Sequence, residues 1–364
     1  MILHRYFARR FAATFAYTLA GFFLLMILID LVEQLRRFGG DATFGALLQL
    51  SLLNLPQALY AILPLIMVLA TIAMFLGLAR SSEMVVTRAA GRSALRALVA
   101  PLAVTVLIGA VTVAVFNPLV AATTKEFEVR ETALRAQGAS VLALSDSGIW
   151  LRQGSDISQT VIHADRSNLD GTLLQSVTFM TFTPTEGPVR RIEAASATLT
   201  PGGWNLTDAK VWPLDRGRIA EQWATTHTTL RIASTLTADE IRDSFGEPSA
   251  IPIWELPAFI KRLELAGFSA TRHAVWFQME LALPAFLLAM VLIGAGFTMR
   301  HQRGGRTGVM VLAAVLICFA LFFLRNFAQI LGENGQIPAV LAAWPPPIAA
   351  IGASLGLLLH LEDG

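Results

Sequence analysis

A polar stretch from Lys125 to about Phe268 separates two blocks of very apolar sequence, and few architectures accommodate that layout. Each apolar block is too long for the helices of a soluble core, because about 20 residues rising 1.5 Å each cross a bilayer core of about 30 Å. The pattern predicts three spans, a soluble domain, then three more spans. Only 15% of residues are charged and 54% are hydrophobic, against roughly 25% charged in ordinary soluble domains. The formal net charge of +2 hides a partition: the central stretch is slightly acidic, and the short segments beside the spans are basic. There is no continuous basic face of the kind that binds nucleic acid.

The predicted spans run about Phe11–Val32, Leu47–Leu78, Leu95–Ala121, Val275–Met299, Val309–Leu331 and Val340–His360. Pro56 and Pro64 predict a kinked or tilted second span. Trp344-Pro345-Pro346-Pro347 predicts irregular backbone at the entrance of the sixth, with an interfacial tryptophan. Orientation follows from arginine asymmetry in short loops. Arg5, Arg9 and Arg10, then Arg80, Arg88, Arg92 and Arg96, then Arg300, Arg303 and Arg306 fall on one side. The other side has only Arg36 and Arg37 in its short loops. By the positive-inside rule both termini are cytoplasmic and the central domain faces outward. The first apolar stretch is long and lacks a good small-residue cleavage site, which speaks against a cleaved signal peptide.

The middle domain reads as antiparallel β. Residues 148–152, 160–163, 176–182 and 203–207 alternate partly or are rich in β-formers, and turn signals at 168–171, 184–187 and 201–203 punctuate them. Such a run predicts a sandwich or an open barrel. A helix over 125–137 continues out of span three, Thr237-Ala238-Asp239-Glu240 fits a capping box, and a helix over 256–266 ends at Gly267. The resulting division is 1–124 for spans one to three, with a short cytoplasmic helix at about 80–93, then 125–270 for the β domain and 271–364 for spans four to six.

Chemistry is conspicuous by its lack of motifs. No phosphate-binding loop and no Gly-x-Ser-x-Gly elbow occurs. The six histidines are scattered without metal-ligand spacing, and His163 reads as a structural strand residue. Ser145-Asp146-Ser147 is a turn signal. Cys318 is the only cysteine, so neither an intrachain disulfide nor a cysteine metal site is possible. The sequence therefore predicts a chain without a catalytic centre, metal or cofactor of its own.

Three features remain. In the loop between spans two and three, Ser82 is placed to cap a short helix with Glu83 in its first turn. Met84, Val85 and Ala89 supply apolar contacts, Arg88 adds charge and Gly91 can end the helix. Such a helix either lies in the headgroups or docks in a partner's groove, and a lone acid among arginines favours docking. Arg36 and Arg37, at the outer end of span one, are either interfacial anchors with snorkelling stems or guanidinium forks for phosphates. Asp30, Glu280 and Arg325 lie in or near apolar runs, where unpaired charge is costly. They are placed to pair with each other, with a partner subunit, or with lipid.

The loop helix resembles the coupling helix of the lipopolysaccharide-export permease family, with its Ser-Glu-hydrophobic-x-x-x-x-Ala-x-Gly pattern at Ser82 to Gly91. Leu31-Val32-Glu33-Gln34-Leu35-Arg36-Arg37, Ser147-Gly148-Ile149-Trp150 and Leu331-Gly332-Glu333-Asn334-Gly335-Gln336-Ile337-Pro338 also match, in order along the chain. The span-one segment and the terminal Leu361-Glu362-Asp363-Gly364 look more like the G-type than the F-type member of the paired permeases. The resemblance implies six transmembrane helices with an inserted periplasmic all-β jellyroll-like domain, in a bacterial inner membrane. It implies an F-type permease partner, a cytoplasmic ATPase dimer, a single-span periplasmic bridge protein, and lipopolysaccharide as cargo. Glu83, Met84, Val85, Arg88 and Gly91 would couple to the ATPase, and Arg36 and Arg37 would meet the lipid. The family often carries a further basic residue where this chain has Asp30. The F-type sibling permease, a lipoprotein-releasing permease and a non-transporting membrane scaffold with a β domain are the other readings; a scaffold has no use for an ATPase dock.

Overall fold

The computed structural model describes the chain except residues 1, 39–41, 90–92, 137–142, 155–158, 168–170, 184–186, 215–219, 235–247, 266–268, 300–306 and 364. At 84, 85, 88, 94, 132, 133, 135, 136, 143–149, 152, 154, 307 and 361–363 it describes the backbone alone. Two compact units emerge: Met1–Glu131 with Ser249–Leu256 and Thr271–Gly364, and Thr132–Pro248 with Pro257–Ala270.

The helices in chain order are α1 (Ile2–Phe38), α2 (Phe44–Arg80), α3 (Glu83–Ala89), α4 (Ala94–Val111), α5 (Asn117–Ala136), α6 (Leu256–Leu265), α7 (Thr271–Leu281), α8 (Leu283–Thr298), α9 (Thr307–Glu333), α10 (Ala339–Ala343) and α11 (Pro345–Asp363). A π turn over Thr112–Phe116 joins α4 to α5, so the helix of the third span runs on past the apolar stretch to Ala136, as the sequence predicts. Five helices are long and apolar enough to cross a membrane, and α7 with α8 makes a sixth if that bent pair is one span.

Among the described residues, one sharp bend falls within the predicted spans. Pro56 and Pro64 both lie inside α2 without interrupting it. The break falls instead in the fourth span, where α7 and α8 meet at 47° around Ala282, with Pro284 in the first turn of α8. Proline has no N–H to give the carbonyl of residue 280, so the ladder cannot run through. A Cβ on Gly109 of α4 would stand 2.8 Å from Pro284 Cα, so only glycine admits this approach. The run Trp344–Pro347 behaves as expected: Trp344 separates α10 from α11, and the prolines occupy the first turn of α11, where a missing N–H costs little.

Helix α8 is the axis of the unit's core, with Phe286, Leu287, Met290 and Leu292 buried against Met67 and Phe75 of α2 and Leu98 of α4. The outer faces are apolar too. Leu24, Leu28 and Val32 of α1 and Leu316, Phe323 and Phe327 of α9 are exposed, a surface suited to hydrocarbon or to other helices rather than water. At the end of α9, Gln336 N–H donates to Leu331 O and Gly335 N–H to Gly332 O, both at 2.9 Å, with Gly335 at φ +72°. That is a Schellman stop, and it explains the glycine and the spacing of the Leu331–Pro338 segment.

In the second unit six antiparallel strands pair in sequence order: β1 (Ala143–Gly154), β2 (Gln159–Ser167), β3 (Leu173–Thr183), β4 (Gly187–Thr200), β5 (Gly203–Pro213) and β6 (Thr225–Ala233). The four strand segments read from the sequence fall in β1, β2, β3 and β5; β4 and β6 carried no such signal. The sheet rolls far enough that Ser234, just past β6, donates to Gln153 Oε1 of β1 at 2.6 Å. One curled sheet, rather than two stacked ones, accords with the jellyroll-like expectation. The capping box at 237–240 and the stop at Gly267 lie outside the described residues.

A crease crosses this sheet. Asp165, Ser176, Ala195, Asp208 and Thr228 form one row that is missing from every ladder, while pairing on either side keeps its register. Ser176 and Asp208 both take φ +52°, a left-handed conformation rare in strands. Buried positions change parity across the row. Val177 and Phe179 are buried on one side and Leu174 on the other, as are Ile192 and Ala194 against Ala197, and Trp204 and Leu206 against Ala209. In an uninterrupted strand those residues would point to opposite faces. The crease turns both halves of each strand toward one shared core.

Candidate functional site

At the cytoplasmic end predicted by the arginine pattern, α3 begins at Glu83, as expected for the loop helix. Ser82 is not its cap in the usual sense. It sits at φ +59°, joining α2 to α3 by one left-handed residue, and its carbonyl accepts from Val86 N–H at 3.2 Å. Glu83 Oε1 accepts from Ser81 Oγ at 2.8 Å, and Oε2 accepts from the Tyr6 hydroxyl at 2.6 Å. The Tyr6 bond, followed by that from Ser81, holds the Glu83 carboxyl below its ordinary range, with Arg10 adding to the effect. The carboxylate is therefore charged at neutral pH, and its contribution to the local fold is lost only as pH falls through that depressed value. Val86 and Ala89 are exposed on α3. The side chains of Met84, Val85 and Arg88, and all of Gly91, lie outside the described residues.

At the other end of α1 the two arginines part company. Arg37 Nη2 bonds Glu33 Oε1 at 2.6 Å, and Nη1 stands 3.5 Å from Glu131 Oε1 of α5. Arg36 is exposed, and among the described residues no carboxylate pairs with it. Asp30 accepts from Asn54 Nδ2 of α2 at 2.6 Å.

The remaining intramembrane acid, Glu280, is buried at the end of α7. Tyr60 of α2 and Asn117 of α5 both donate to its Oε2, the latter at 3.1 Å. The charge of Arg325 on α9 acts on it as well, and that guanidinium lies 5.1 Å from the centre of the Phe286 ring. Asn117 also uses its Oδ1 to accept Ile253 N–H at 2.9 Å, and Trp254 Nε1 donates to Ala114 O in the π turn at 3.2 Å. A single node thus joins α2, α5, α7 and the 251–255 segment. The sequence offered Arg325 as one of several partners for Glu280, and its charge does act there; Tyr60 and Asn117, which make the hydrogen bonds, were not legible. No three potential metal-binding side chains converge among the described residues. In the sheet, His163 rests against Trp150 with ring centres 4.3 Å apart, a packing contact.

Apolar helices with an inserted β sheet and a buried, hydrogen-bonded intramembrane acid define a polytopic membrane protein. The family model for the lipopolysaccharide export system permease LptF/LptG matches residues 5–360. The chain belongs to that family and is a multi-pass inner-membrane protein. It is 23% identical to the lipopolysaccharide export system permease protein LptG of Haemophilus influenzae, over 99% of each chain. It is also 23% identical to the protein of that name from Escherichia coli K12, over 99% of this chain and 98% of the relative.

Proposed function

We propose that this chain is the G-type permease of an ABC transporter that extracts lipopolysaccharide from the inner membrane and passes it to a periplasmic bridge. The full-length family match carries the reading, and the span-one and C-terminal segments, with the relatives' names, support the G-type assignment. In this reading both termini and α3 are cytoplasmic, and the domain at 125–270 is periplasmic. An F-type permease pairs with the chain across the exposed apolar faces, two copies of an ATPase bind below, and a single-span protein extends the β domain outward. The chain itself hydrolyses nothing. Glu83, Met84, Val85, Arg88 and Gly91 form the ATPase-coupling segment, and Arg36 and Arg37 meet the lipid phosphates. Affinity purification of the tagged chain tests this: an ATPase and a second six-span permease should co-elute, and Glu83→Lys should weaken ATPase recovery or uncouple hydrolysis from lipid release. Recovery of the chain without either partner would sink the reading.

A further inference from the structure

Helix α1 enters the apolar core only near its cytoplasmic end; toward its other end it is tied by polar contacts, Asp30 to Asn54 and Arg37 to Glu131. Phe7 and Phe11 are 1% and 0% exposed, and beyond Phe11 the only buried side chain of α1 is Gln34. Tyr6 sits beside Phe7, with its ring edge on the Phe7 ring at 5.8 Å between centres. Its hydroxyl reaches Glu83, 77 positions away. Arg10, one turn further along α1, places Nη2 3.8 Å from where a Cβ on Gly77 would stand, at the last turn of α2. Both Glu83 oxygens are thus engaged within the chain, one by α1 and one by the end of α2.

We propose that Tyr6 is a positioning residue that ties α3 to the first span, so that displacement of α3 by a partner is passed to α1 through the Tyr6–Glu83 hydrogen bond. The proposal rests on the reading of α3 as the coupling helix, and it changes what Glu83 does there. A carboxylate with both oxygens occupied is less a free plug for a partner's cation than a joint between two helices. The mechanics favour this. The left-handed residue Ser82 breaks the helical path between α2 and α3, so α3 is a separate element rather than a continuation of α2, whereas α1 is one unbroken helix from Ile2 to Phe38. A shift at Tyr6 therefore reaches the outer half of α1, where Leu24, Leu28 and Val32 are exposed and Arg36 stands at the end.

Tyr6→Phe removes the hydroxyl and keeps the ring. In the complete complex reconstituted into proteoliposomes, it should leave ATPase co-purification and ATP hydrolysis as in the parent. Lipopolysaccharide released per ATP should fall about tenfold, the scale of a lost charge-assisted hydrogen bond. Glu83→Gln added to Tyr6→Phe should cost no more than Glu83→Gln alone, because both break one link. An unchanged ratio of lipid to ATP in Tyr6→Phe would overturn the proposal. So would loss of ATPase association as complete as in Glu83→Lys, since Tyr6 would then only support docking. If Glu83→Lys itself leaves association and transport intact, the coupling-helix reading fails on its own account.

Discussion

Tyr60 and Glu280 are 220 positions apart and share a hydrogen bond inside the helical unit. The bond puts an acid at the broken point of the fourth span, one turn before Pro284, in contact with the middle of the second. The charge of Arg325 acts on this buried acid, and removing one of two buried opposite charges costs more than removing both, because the survivor stays desolvated and uncompensated. Glu280→Leu should therefore destabilise the purified protein by roughly 3 kcal/mol, seen as a marked drop in its melting temperature in detergent. Arg325→Leu in the same chain should restore much of it. If the double variant is no better than the single, Arg325 is not the cation that Glu280 balances.

The two span-one arginines should behave differently. Arg37 is paired with Glu33 and Glu131, whereas Arg36, also exposed, pairs with no carboxylate among the described residues. A phosphate contact at a partly exposed site is worth about 1 kcal/mol, or about fivefold in capture. Arg36→Ala should reduce photo-crosslinking of lipopolysaccharide at the outer end of α1 by about that factor. Arg37→Ala should reduce it less and loosen the contact between α1 and α5. Equal losses, or none, would mean both side chains serve as interfacial anchors.

Orientation is open to direct chemistry. With Cys318 replaced by alanine, Thr226→Cys on the exposed face of β6 should react with a membrane-impermeant maleimide applied from the periplasmic side. Arg96→Cys, exposed near the start of α4, should react only after the membrane is opened. Labelling of Arg96→Cys in intact spheroplasts would invert the topology.

Particular residues show what the sequence could and could not disclose. Long apolar runs announce spans because the bilayer demands length and hydrophobicity together, and the strands at 160–163 and 176–182 announce themselves by β-formers. Strand β4 reads Gly187-Pro188-Val189-Arg190-Arg191-Ile192-Glu193-Ala194-Ala195 onward, with alanine and charge where β-branched residues would be expected, so pairing with β3 and β5 decides it. The bend at Ala282 was missed because eight prolines stand within predicted spans, and a proline alone does not say which helix yields. The Tyr6–Glu83 contact joins residues 77 apart. Its only local trace is a tyrosine among Arg5, Arg9 and Arg10.

The crease gives the last prediction. Alternation of buried residues cannot be read straight through β3, β4 or β5, because its phase reverses at Ser176, Ala195 and Asp208. A left-handed backbone costs an ordinary L-residue about 1–2 kcal/mol and glycine almost nothing, and aspartate tolerates it better than most. Asp208 is exposed, so exchanging its side chain tests backbone conformation with little change in packing. Asp208→Gly should leave the sheet as stable or slightly more so. Asp208→Val, which favours the extended form, should destabilise it by about 2 kcal/mol. Hydrogen exchange of β4, β5 and β6 in the full-length protein would report the difference: faster exchange on both sides of the row in Asp208→Val, with the parent pattern kept in Asp208→Gly. Equal protection in the two variants would mean the fold at Asp208 does not depend on a left-handed residue, and the reversal of phase would need another cause.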